Sequence, residues 1–177
     1  MSPATSPDSF DRLQEEFVGL HTPEEPTPES YADVPNELKA WDNWVCFRHK
    51  FGKSGKMGNA PYRIDGARHA SPKDSQDWST FADATQAMLN PTRKFDGISF
   101  MLLGTSYLGF DFDDVVQNER LDPFVASILR VMGDPYAEVS FSGDGLRVFI
   151  NCAGLPRPHP TQIKKAGSEC AVEIYHG

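Results

Sequence analysis

The stretch YLGFDFDDVV, Tyr107 to Val116, constrains this chain more than any other. Side chains alternate faces along a strand, so Phe110 and Phe112 turn into a core while Asp111 and Asp113 leave together on the opposite face. Two carboxylates about 5 Å apart at an effective dielectric near 20 repel by about 3 kcal/mol. A chain that keeps such a pair side by side needs a cation between the two, or open water around them.

The flanking sequence supplies the rest of a folded body. Pro35 suits a first helical turn in VPNELKAW, WVCFRHK reads as a strand, and GKSGKMGN turns the chain into APYRI. Asp65 and Gly66 make a further turn, and STFADATQAML predicts a helix stopped by Asn90 and Pro91. GISFMLL and YLGFDFD read as consecutive strands joined through Gly104, Thr105 and Ser106. DPFVASILRVM predicts a helix with Phe124, Ile128, Leu129 and Met132 on its apolar face. AEVSFS and LRVFIN predict a hairpin around the glycine turn SGDG, and ECAVEIY predicts a last strand. Helices interleaved with antiparallel strand pairs predict an α/β body, in the α+β sense, on a mixed or antiparallel sheet.

Composition divides the chain. Residues 1–34 hold five prolines and eight acids against the single base Arg12, the signature of a flexible acidic tail. Within it, SFDRLQEEFVGL places Phe10, Leu13, Phe17 and Leu20 near one helical face. Residues 35–177 form the expected domain and are close to neutral, because most of the net charge of −8 sits in the tail. One run, Arg48 to Lys73, carries seven Lys or Arg against the single acid Asp65. Such a run is either a solvated hairpin or a footprint for phosphates, with Arg48, Lys53, Lys56, Arg63 and Arg68 as the contact candidates. Cys46, Cys152 and Cys170 lack metal-site spacing and predict reduced, structural thiols. No apolar run is long enough for a membrane span and the start has no signal-peptide pattern, so the expected location is the cytoplasm, away from any membrane.

The chemistry-bearing residues fall in three places. Alternation in VEIY turns Val172 and Ile174 inward and leaves Glu173 outward as a third carboxylate beside Asp111 and Asp113. These hard oxygen ligands suit two Mg²⁺ or Mn²⁺ ions of the kind that serve phosphoryl transfer. In the SFSGDGLR hairpin, Ser142, Gly143, Gly145 and Arg147 offer a hydroxyl, close backbone approach and a forked cation for a phosphate group. Other motifs fit poorly. Val115 at the fifth position and the missing sixth-position glycine exclude a calcium loop, and GKS at Gly52 to Ser54 lacks the earlier glycine of a P-loop. Asp-x-Asp at a strand end also occurs in haloacid-dehalogenase-like phosphatases, but these need a further acidic motif and a longer doubly wound sheet than the 63 residues after Asp114 suggest.

In this order, PNELKAWDNWVCF, KMGNAPY, the helix after DWSTF, FDGISFML, GFDFDD, SFSGDGLRVF and VEIY resemble the N-terminal primase-polymerase domain of phage and plasmid replication proteins, in the archaeo-eukaryotic primase superfamily. The resemblance implies a catalytic sheet like that of RNA-recognition motifs, joined to a smaller N-terminal α/β unit. It implies Asp111 and Asp113 as the first catalytic motif, Ser142 to Arg147 as the nucleotide-binding second motif and Glu173 as the third-motif carboxylate. The implied activity is DNA primase or polymerase, with NTP or dNTP, a single-stranded DNA template with its primer, and a helicase domain or protein as partners. Two features depart from the family: Arg147 stands where a histidine is usual, and the family continues past Glu173 into another strand. The alternatives are a catalytically degenerate nucleic-acid-binding module and the phosphatase.

Overall fold

A computed structural model describes residues 27–52, 57–118, 120–140, 142–154, 161–164 and 171–176. They fall into two compact units, one within Pro23–Ser106 and the other within Tyr107–His176. Among the described residues every strand pair is antiparallel and the helices are few and short, so the chain is of the α+β kind. No described helix is long and apolar enough to cross a membrane.

The first unit begins inside the stretch read as tail, with a 3-10 turn at Pro28–Tyr31 and a buried Val34. A single helical turn, α1 (Asn36–Lys39), follows Pro35. Strand β1 (Trp44–Phe51) is the centre of a three-stranded sheet between β2 (Met57–Tyr62) and β3 (Gly97–Phe100). The start of β1 is buried on both faces: Cys46 packs with Tyr62, Ala87, Met88 and Phe95, whereas Val45 packs with Ala70 and Met101. Double burial is why WVCF is continuously apolar rather than alternating. It also pushes the Cys46 thiol up to about 12, which leaves it inert. Cys152 is likewise free, and Cys170 lies outside the described residues. Helix α2 (Phe81–Met88) is entered through Thr80, whose hydroxyl accepts from the Asp83 amide at 3.0 Å and donates to the Asp83 carboxylate at 2.8 Å. Such a cap is worth about 1 kcal/mol.

The second unit carries the acidic stretch. Strand β4 (Tyr107–Asp113) leads into a small hairpin of β5 (Val116–Gln117) and β6 (Arg120–Leu121), then helix α3 (Pro123–Val131). Strands β7 (Tyr136–Val139), β8 (Leu146–Asn151), β9 (Thr161–Lys164) and β10 (Ala171–His176) complete a five-stranded sheet in the order β7-β8-β4-β10-β9. Phe112, Leu146 and Val148 of the sheet pack with Val125, Ala126 and Leu129 of α3. Full burial of each of these side chains other than Ala126 contributes about 1.5–3 kcal/mol. Asp122 caps α3 by accepting from the Phe124 and Val125 amides at 2.8 and 3.3 Å.

One expectation shifts. Phe124, placed on the apolar face of α3 by spacing, is 59% exposed, because the buried stripe runs through Val125, Ala126 and Leu129. Strands β3 and β4 are consecutive, as expected, and belong to different sheets, so Gly104 to Ser106 connects the two units.

Candidate functional site

The acidic site is built by register. Asp111 on β4 lies directly opposite Arg147 on β8 and opposite Glu173 on β10. Residues directly opposed in antiparallel strands share a face, so Arg147, Asp111 and Glu173 form a row across three strands, and Asp113 joins them two residues along. Phe112 and Val172 take the other face and enter the core under α3, as alternation requires. Glu138 on β7 pairs with Arg147 and extends the row by one strand.

Charge is crowded in this row. Burial pushes the Asp111 carboxyl above its ordinary range, and the nearby Asp113 and Glu173 add to the shift. Arg147 opposes it, with its Nε 3.8 Å from Asp111 Oδ1. The Tyr175 hydroxyl donates to Glu173 Oε2, and burial together with the carboxylates around it pushes that phenol up as well. Asp114 leaves the row: its φ of 54° is left-handed and ends β4.

The hairpin between β7 and β8 is held by its own groups. Gly143, at φ 82°, closes the turn with its amide on the Ser140 carbonyl at 2.9 Å. Gly145 is required by close approach: a Cβ there would stand 2.9 Å from the Phe112 carbonyl oxygen and 2.9 Å from Ser140 Oγ. The Ser142 hydroxyl donates to the Asp144 carboxylate, and the Asp144 carbonyl accepts from the Val115 and Val116 amides at 2.7 and 2.8 Å. The turn is thereby tied to the exit of β4, next to the aspartates.

The basic candidates belong to the first unit, and those described are engaged there. Arg48 donates to the Arg93 and Lys94 carbonyls at 2.7 and 3.3 Å and lies over the Tyr62 and Phe95 rings. Arg63 and Arg68 both reach Asp77 Oδ1, at 3.3 and 2.7 Å, and the Asp77 side chain is only 1% exposed. A buried carboxylate needs such partners, so these two arginines hold the fold of the unit. Lys53 and Lys56 lie outside the described residues, as does the stretch Phe10 to Leu20 expected as a helix.

Sequence reasoning missed Tyr175 and Glu138. The alternation in VEIYH that turned Glu173 outward also applies to Tyr175, two residues on, so that signal was present; Glu138 depended on a register no local pattern specifies. Among the described residues, no three His, Cys, Asp or Glu side chains are gathered closely enough to hold a metal ion as they stand. The donor chemistry of Asp111, Asp113 and Glu173 nevertheless suits a hard divalent cation; the Asp111 carboxyl is raised by burial first, and the smaller repulsion from Asp113 and Glu173 is the part such a cation would relieve.

Fold and site together define an α+β chain with an acidic row on one face of an antiparallel sheet. Compared with known families and curated proteins, it matches no family model and no curated sequence.

Proposed function

We propose that this chain is a DNA primase-polymerase domain that transfers a nucleotide from an NTP or dNTP to a primer end or an initiating nucleotide on a single-stranded DNA template. The row Arg147, Asp111, Glu173 across adjacent strands, with Asp113 beside it, carries this reading. The connectivity supports it too: β4, α3, β7 and β8 run in a β-α-β-β order, and β10 returns to pair with β4, as in split β-α-β sheets. The resemblance of the motif order to primase-polymerase domains points the same way.

Asp111, Asp113 and Glu173 would hold the two Mg²⁺ or Mn²⁺ ions, which, when bound, promote deprotonation of the attacking hydroxyl and offset charge on the leaving pyrophosphate. Arg147 presents a planar fork for two phosphate oxygens, and its loose pairing with Asp111 leaves it able to turn to a triphosphate. Gly143 and Gly145 shape the turn that leads into Arg147, their own amides being taken by the Ser140 carbonyl and hydroxyl. Tyr175 fixes the orientation of Glu173 through its hydroxyl hydrogen bond.

A primer-synthesis and extension assay with Mg²⁺ and Mn²⁺ tests this. The parent chain incorporates labelled nucleotide, and Asp111→Asn and Asp113→Asn both lose incorporation; undiminished incorporation in the two variants rejects the proposal. Arg147, standing where the resembled family has a histidine, favours a second reading, a replication module that binds nucleic acid without chemistry. Oligonucleotide binding with no incorporation by the parent would select it. The antiparallel sheets lend no support to the phosphatase, whose fold is a doubly wound parallel sheet.

A further inference from the structure

In the first unit, three side chains gather around one phenol. Arg48 and Lys50 lie on the same face of β1, and Tyr62 reaches that face from β2. Lys50 Nζ donates to the Tyr62 hydroxyl oxygen at 2.5 Å and lies 3.5 Å from His69 Nε2. His69 Nδ1 is 3.2 Å from the Pro61 carbonyl, so the tautomer satisfying both contacts carries its proton on Nδ1 and accepts at Nε2. The Arg48 guanidinium stands 4.3 Å from the centre of the Tyr62 ring, and the rings of Tyr62 and His69 are 4.3 Å apart.

The charge balance of this cluster is unlike that of its neighbours. Arg63 and Arg68 are matched by the buried Asp77, whereas neither Arg48 nor Lys50 takes part in an ion pair among the described residues. Two positive charges therefore stand by the Tyr62 ring with no carboxylate of the described residues paired to either. Their donors are not used up: Lys50 spends two of its three N–H groups, and the Tyr62 hydroxyl, which accepts from Lys50, keeps its own proton to donate. The Lys50 ammonium holds the phenol below its ordinary value, so it is a stronger donor than a free tyrosine. Gly58 lies directly opposite Lys50 and puts no side chain beside it, and among the described residues a Cβ there would meet nothing within 4 Å.

We propose that Lys50, Tyr62 and His69, backed by the charge of Arg48, form a phosphate-binding site made of residues separate from the acidic row. The two unmatched cations suit a phosphate oxyanion, with the Lys50 ammonium and the Tyr62 hydroxyl donating to its oxygens. The phosphate comes from a nucleic-acid backbone or from a free nucleotide, and the site itself does not depend on the polymerase reading.

Two arms of one experiment separate these sources. In the first, binding of a labelled oligodeoxythymidylate of about 20 nucleotides is followed between about 50 and 200 mM salt. A lost phosphate contact reduces the slope of log K against log salt by about 0.7 for a single strand. Lys50→Met shows this reduction with several-fold weaker binding, Tyr62→Phe weakens binding less, and Lys50→Arg restores the slope. In the second arm, inorganic phosphate and metal-free ATP are titrated while the His69 ring resonances are observed. Perturbation in the parent but not in Lys50→Met, with an unchanged oligonucleotide slope, assigns the site to free phosphates. Melting curves matching the parent certify that each variant is folded. If Lys50→Met behaves as the parent in both arms, the proposal is overturned. A changed slope in a chain that never incorporates nucleotide keeps the phosphate site and rejects only the polymerase.

Discussion

At the scale of single residues, two carboxylates show opposite uses of burial. Asp77 is held below its ordinary range by the Ser71 amide first, with Arg68 and Arg63 adding to the effect against the cost of burial. A carboxyl depressed in the folded state stabilises fully above its unfolded value of 3.8 and loses that contribution as pH falls through the folded value. Asp77→Asn should therefore melt lower than the parent at neutral pH, with a gap that narrows on acidification below about pH 4; pH-dependent melting measures it. Asp111 runs the other way. Its folded carboxyl is raised, so its charge is a burden at neutral pH that lightens as pH falls toward the folded value. Asp111→Asn is expected to melt at or above the parent temperature, and Mg²⁺ is expected to raise the melting temperature of the parent alone. A variant that melts clearly lower would make Asp111 structural.

At the scale of elements, the β7–β8 hairpin is the most demanding piece. Its turn depends on Gly145, where the Phe112 carbonyl and the Ser140 hydroxyl leave no space for a methyl group. Gly145→Ala must push β8 from β4 or displace Ser140, at a cost of about 1–3 kcal/mol. Since Asp111 faces Arg147 across that same pairing, nucleotide affinity should fall together with stability. Urea unfolding and nucleotide titration on the one variant check both; affinity kept while stability drops would detach the hairpin from ligand binding. Helix α3 shows how local and tertiary preferences divide. Asp122 and Pro123 begin it as their chemistry dictates, yet the face it buries is set by the sheet beneath.

At the scale of the whole molecule, the boundary of the folded body is the testable matter. Tyr31 packs against the cluster around Cys46, Val34 is 5% exposed, and Lys39 Nζ donates to the Ala32 carbonyl at 3.0 Å. A chain beginning at Pro35 forfeits these contacts, about 1.5–3 kcal/mol for Val34 alone. A chain beginning at Thr27 should melt like the full chain, since the preceding acidic, proline-rich residues have the composition of a solvated appendage. Thermal melting of the two truncations decides it: equal loss in both would place part of residues 1–26 in the fold.

Much of the second unit was legible in local pattern, because a period of two is written into consecutive residues: it placed β4, β8 and β10, turned Phe112 and Val172 inward, and turned Asp111 and Glu173 outward. The caps of α2 and α3, not read from the sequence, are local too, since Thr80 and Asp122 reach amides only two or three residues away. What no window of sequence contains is which strand lies beside which. Register between residues 36 and 62 positions apart put Arg147 and Glu173 on either side of Asp111, and tertiary packing drew Arg63 and Arg68 to Asp77 while pairing no carboxylate of the described residues with Lys50. Alternation determines the face on which a charge emerges; only the folded sheet decides the charges it meets there, because those neighbours are set by burial of the opposite face.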